Sequence, residues 1–129
     1  MGNLFLVAFS LIFSFAIFHQ NIVFSGVNRA YLGLYKGVAE RGVVLFDGSG
    51  QMLARPYFDY KITEAGVESY LQRALQSYVA EYETEYVFYN ASGKPNYATP
   101  CSFSITLRCD ISAFQTFERT ACFTIKENV

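Results

Sequence analysis

The sequence predicts an α+β fold: a long N-terminal hydrophobic α-helix, then a small head in which one amphipathic helix packs on a three- to four-stranded antiparallel sheet. Three observations carry this. Residues 4–28 contain no Asp, Glu, Lys or Arg. Apolar residues between Val67 and Val79 recur with the helical period, and from Tyr82 onward they alternate with polar ones. The expected division is 1–46, a hydrophobic transmembrane or assembly helix and stalk, and 47–129, the head.

In the first segment, Leu4 to Phe18 is interrupted only by Ser10 and Ser14, whose hydroxyls can return to the helix backbone. His19, Gln20 and Asn21 form a polar notch before Ile22, Val23 and Phe24 resume. A helix over Leu4–Asn28 would be roughly 37 Å long at about 1.5 Å per residue. That exceeds a hydrocarbon core of about 30 Å and puts the notch at headgroup level. A cleavable signal peptide is the competing reading, but no Lys or Arg precedes the apolar run. A retained helix is expected, with a short basic leader removed ahead of Met1 as one explanation. Arg29, Lys36 and Arg41 follow the run, which alone would place the head in the cytoplasm. Three cysteines, ten tyrosines and the sequon Asn90-Ala91-Ser92 favour a head on the extracytoplasmic side, as a single-pass membrane protein or within an extracellular filament.

Helical spacing continues past the apolar run through Tyr31, Leu34, Tyr35 and Val38. Gly26, Ala30, Gly33 and Gly37 step by four, three and four, and so lie on one stripe of a helix. Gly33-x-x-x-Gly37 is a spacing that lets two helix backbones approach closely. Each interior Gly costs a helix about 1 kcal/mol against Ala, and helix packing is the simplest compensation. Phe5, Phe9 and Phe13, with Gly26, Ala30, Gly33 and Gly37, are the residues expected to carry helix packing and assembly. Asp47-Gly48-Ser49-Gly50 is a turn that either ends this helix or closes a short hairpin of Val43–Phe46 with Gln51–Ala54. A helix ending near Arg41–Phe46 is preferred. Pro56 then makes Met52–Tyr60 extended.

The second helix presents Val67, Tyr70, Leu71, Ala74, Leu75, Tyr78 and Val79 on one face, with Thr63 as candidate N-cap. Glu68, Gln72, Arg73 and Gln76 mark its wet side. Three strands follow, over Tyr82–Tyr89, Cys101–Asp110 and Phe114–Lys126, with Asn90–Pro100 as a loop. In the last strand Phe117, Ala121, Phe123 and Ile125 are expected to face inward. Cys101 and Cys109 on one strand would lie roughly 26 Å apart at about 3.3 Å per residue. A disulfide needs Cα atoms within about 7 Å. Cys101–Cys122 or Cys109–Cys122 is therefore expected, the first favoured slightly by a turn near Ser112–Phe114. Three reduced thiols are the alternative.

Chemistry is sparse. The sole histidine, His19, lies in the apolar segment, which leaves the head without a His base or His metal ligand. No Cys-x-x-Cys, zinc spacing or phosphate-binding glycine loop occurs. Glu81, Glu83 and Glu85 lie in a line rather than converging on a cation. Asp59 among aromatics reads as a turn or cap residue. Ten Lys and Arg against eleven acids, scattered, leave no nucleic-acid footprint. The expectation is a non-enzymatic chain with no metal, no cofactor and no small-molecule substrate.

The uncharged helix running into Val27-Asn28-Arg29-Ala30-Tyr31 and on to Glu40-Arg41-Gly42, with a small α+β head and late cysteines, resembles pilin-like proteins, and more narrowly the TadE-type minor pilins of tight-adherence systems. The resemblance implies a structural subunit of a cell-surface filament or pseudopilus-like assembly, with copies of itself or related pilin-like subunits as partners. In such an assembly Gly33→Leu or Gly37→Leu blocks assembly and leaves the head folded. A single-pass membrane-anchored binding domain of a secretion or envelope complex is the alternative.

Overall fold

The computed structural model describes residues 2–125. The first helix, α1, spans Gly2–Gly33 without a break. It stops earlier than the expected Arg41–Phe46. Its last turn tightens, with the Leu34, Tyr35 and Lys36 amides donating three residues back to Tyr31, Leu32 and Gly33 at 3.1–3.2 Å. Gly37 then takes φ +88°, a left-handed conformation that glycine reaches without penalty. A 3-10 turn, Ala39–Gly42, leads into a hairpin of β1 (Val43–Phe46) and β2 (Met52–Phe58). The hairpin alternative is thus the one that forms, and it pairs residues on both sides of position 46: Val43 with Phe58, Val44 with Tyr57, Phe46 with Met52. Asp47 closes its turn. One carboxylate oxygen accepts from the Ser49 amide (2.8 Å), the Ser49 hydroxyl (2.6 Å) and the Gln51 amide (3.0 Å).

The second helix, α2, spans Tyr60–Leu75. Asp59 rather than Thr63 caps it, its carboxylate accepting the Ile62 amide at 3.1 Å. Thr63 sits one turn inside, buried against Gly42. The helix ends four residues before Val79, and one closing turn follows in which the Tyr78 and Val79 amides both donate to the Leu75 carbonyl. Thr63, Val67, Leu71 and Leu75 form its buried stripe.

The main sheet is an antiparallel meander, β3 (Glu83–Tyr89), β4 (Ser102–Ser112) and β5 (Gln115–Thr124), separate from the two-stranded hairpin. The expected end of the last strand at Lys126 lies outside the described residues. Period-2 alternation works as expected: Phe88, Phe103, Ile105, Leu107, Phe117 and Ala121 are buried on one face. The upper part of α1 lies on that face, and α2 lies beside it, tied to the β3 side through Glu68 and Tyr60. Phe103 is the aromatic centre, 5.3 Å from Phe88, 5.1 Å from Phe123 and edge-on to Phe58 at 4.8 Å. The other face is polar, with Thr106 and Thr120 hydroxyls 2.8 Å apart.

All three cysteines are free thiols, and neither expected disulfide forms. The reason is strand register. Cys122 pairs with Ser104 on the outer face, whereas Cys109 pairs with Phe117 on the core face. Cys101 stands three residues beyond Ser104, about 10 Å along the strand, which exceeds the reach of a disulfide. The Ile125 amide, not Cys122, lies against Cys101. Burial and the neighbouring Asp110 charge push the Cys109 thiol up. In detergent-solubilised protein, alkylation followed by mass spectrometry should find Cys122 modified first, Cys101 later, and Cys109 only as the head unfolds. A disulfide-linked peptide in freshly isolated protein would contradict the register.

Candidate functional site

The feature that sets this chain apart is one helix divided between two environments. Its lower half is bare. Leu4, Phe5 and Phe15 are 78, 75 and 71 % exposed, and Phe9 and Phe13 stack on each other with ring centroids 6.5 Å apart while both face outward. Only 6 % of the most apolar window is buried within the protein, so this is not the core helix of a globular domain. A contiguous apolar surface of this extent marks an interaction site. The helix is long and apolar enough to cross a membrane.

The upper half is head core. Burial begins at Val23 and continues through Val27, Ala30, Tyr31 and Leu34. Here α1 climbs alongside β5. Gln20 donates to the Gln115 side chain at the lower end. Phe24 and Tyr31 then flank Phe117 edge-on at 5.8 and 5.9 Å. The Tyr31 hydroxyl donates to the Thr120 carbonyl at 3.1 Å, and Tyr35 meets Phe123 at 5.1 Å. No flexible linker separates the bare half from the buried half.

On its other flank α1 packs antiparallel to α2, through the small residues the sequence singles out. A Cβ on Gly26 would overlap the ring of Tyr78, and one on Gly33 would overlap the hydroxyl of Tyr70. That hydroxyl donates to the Ala30 carbonyl at 2.8 Å. Higher up, Gly42 lies against Thr63, whose Cα would stand 2.9 Å from a Cβ there. The stripe of Gly26, Ala30 and Gly33 therefore serves helix packing, but its occupant is α2 and the turn that follows it, in the same chain, rather than a second copy. Gly37 is not on the stripe, since its left-handed backbone lies beyond the end of α1. Phe5, Phe9 and Phe13 remain on the bare half.

Glu68 locks α2 to the sheet and is not on the wet side of the helix. Its carboxylate accepts the hydroxyls of Tyr82 (3.2 Å), Tyr86 (2.7 Å) and Thr84. Burial, then the hydrogen bond to Glu68 and its charge, push the Tyr86 phenol far above the ordinary tyrosine value, so it remains a donor throughout the physiological range. The available signal was three hydroxyls, Tyr82, Thr84 and Tyr86, on the inward side of one strand. Such a row needs a buried acceptor.

The remaining polar features are dispersed. Glu83 and Glu85 point outward along β3, and Glu81 precedes the strand. An open cleft of about 540 Å³ at that end of the sheet is lined by Glu81, Glu83, Arg108 and Asp110, among others. His19 is exposed where the apolar run ends. Among the described residues no group of three or more His, Cys, Asp or Glu side chains is placed to hold a metal ion. No family model, curated protein or solved structure matches this chain.

Proposed function

We propose that the chain is a non-enzymatic, membrane-anchored structural subunit. Its bare helical half lies in the bilayer and packs against the corresponding helices of its own copies or of related pilin-like subunits, in a surface filament or pseudopilus-like assembly. The head then stands on the extracytoplasmic side. The observation that carries this reading is the single unbroken helix shared between apolar exterior and head core. A mere tether works through any flexible linker. A helix built rigidly into the core fixes the head's direction relative to the rod, and stacking heads by packing rods requires that. Phe5, Phe9, Phe13, Phe15 and Phe18 offer bulky apolar side chains for such rod-to-rod contact, where dispersion and shape rather than water exclusion drive association.

The test replaces residues Leu4–Phe18 with an unrelated Leu/Ala helix of equal length. The native chain should leave the membrane in mild detergent as oligomers or filament fragments visible by negative stain. The replaced chain should stay membrane-bound with a folded head, yet migrate as a monomer. Equal assembly by both chains, or a native chain that is only ever monomeric, would leave the single-pass anchored binding domain as the better account. Labelling of Cys122 by a membrane-impermeant maleimide on intact cells reports the side on which the head lies.

A further inference from the structure

The fully exposed aromatic outside α1 is Phe114, at the tip of the turn joining β4 to β5, with 99 % of its surface free. Exposure of one apolar residue means little by itself. Its position decides. The rungs between α1 and β5 run in step: Gln20 with Gln115, Phe24 with Phe117, Tyr31 with Thr120, Tyr35 with Phe123. Going down from Gln115, the next residue is Phe114, and going down from Gln20 the next is His19, where the apolar run ends. The turn is therefore the lowest point of the head on that side, beside the helix where it leaves the protein.

Length makes the same point. The apolar run of α1 below the polar notch, Leu4–Phe18, is about 22 Å long at about 1.5 Å per residue, no longer than a hydrocarbon core of about 30 Å, so the notch and the turn beside it are drawn to headgroup level. No helix is left over to hold the head away from the surface. The tip also lacks charge from Ile111 to Phe117. Its backbone is partly satisfied internally, the Phe114 amide donating to the Ser112 hydroxyl at 3.2 Å. The flanking acids are Asp110 and Glu118, each four residues from Phe114, and Asp110 accepts from Thr116 at 3.1 Å on the outer sheet face.

From this placement we propose that the β4–β5 turn is a second membrane contact, with Phe114 inserted at the headgroup level of the bilayer that α1 spans. The proposal rests on the reading of α1 as a spanning helix. An aromatic ring at that depth gains apolar burial while its backbone stays near water. Two attachment points, the helix and the turn, then hold the head at a set angle.

The chain contains no tryptophan, so single-Trp variants report cleanly. Full-length Phe114→Trp, Phe9→Trp and Ala91→Trp are reconstituted in phosphatidylcholine vesicles. Ala91 sits in the loop at the opposite end of the sheet. Phe114→Trp should emit to the blue of Ala91→Trp, and lipids brominated near the headgroup should quench it more than lipids brominated deep in the chains. Phe9→Trp should be quenched by the deep label and Ala91→Trp by neither. If Phe9→Trp is quenched but Phe114→Trp behaves like Ala91→Trp, this proposal falls and the spanning helix stands. If Phe9→Trp escapes quenching, the spanning reading falls and takes the turn contact with it. Blue emission from Phe114→Trp that bromination leaves untouched, and that disappears on dilution with lipid, would place the ring in a neighbouring copy and overturn the membrane contact.

Discussion

Glu68→Ala should destabilise the head by about 3 kcal/mol, since it removes a charged acceptor from three hydroxyls at once and each such bond contributes about 1.5–3 kcal/mol before water regains access. Tyr82, Thr84 and Tyr86 are half-buried, so water recovers part of the loss, and the sum is smaller than three full bonds. For a head of this size about 1 kcal/mol corresponds to about 4–8 °C, so the melting temperature, followed by near-ultraviolet circular dichroism of the tyrosines in detergent, should fall by more than about 10 °C. Glu68→Gln keeps an acceptor oxygen, and the hydroxyls can rotate to meet its amide, so its cost should be about 1 kcal/mol. Were Glu68→Ala to melt within a degree or two of the native chain, the carboxylate would be an ornament on a contact held by packing alone.

Gly33→Leu should be at least as damaging. Its side chain would enter the space of the Tyr70 ring, breaking the hydroxyl's bond to Ala30 and prising α2 from α1. Overpacking costs about 1–3 kcal/mol, and the lost hydrogen bond about 1 kcal/mol more. The variant should therefore lose head structure even in a detergent harsh enough to separate the copies, and not merely fail to assemble. Gly37→Leu acts differently. It forces a branched side chain into a left-handed backbone, at about 1–2 kcal/mol, with no helix contact involved. A double-mutant cycle isolates the Tyr70 term. Gly33→Ala alone should be destabilising, and adding Tyr70→Phe should remove the colliding oxygen, so that the pair costs less than the sum of the singles. Strict additivity would mean that Gly33 and Tyr70 do not meet.

The elements that were legible in the sequence are those whose pattern is long. A charge-free run of this length has few folded outcomes, and the alternations through Phe103, Ile105 and Leu107 assign both strand and inward face. Helix ends were harder. Apolar spacing runs straight through Gly37, and only that residue's backbone angle breaks the helix. Asp59 and Thr63 are both competent caps, and the choice falls on the one whose carboxylate reaches Ile62. The glycine stripe was legible as a packing surface, but periodicity says where a neighbour fits and not which neighbour. Tyr70 and Tyr78 read as ordinary members of the apolar face of the expected second helix, although the first carries the hydroxyl that binds Ala30. Glu68 has a polar residue's spacing on the wet side, and its burial arises from β3, far along the chain. The cysteine pairing failed through register: a turn at 113–114 sets Cys101 against Ile125 and Cys122 against Ser104, a displacement that residue spacing alone does not settle.

Because the rod enters the globule without a swivel, the two must lean together. Spanning helices tilt by about 20° on average and lean further when the surrounding bilayer is thin. In the proposed membrane-anchored subunit, each degree of lean turns the whole polar sheet face by the same amount toward or away from the membrane plane. Lipid composition would thus set the compass bearing of that face, with no moving joint inside the protein.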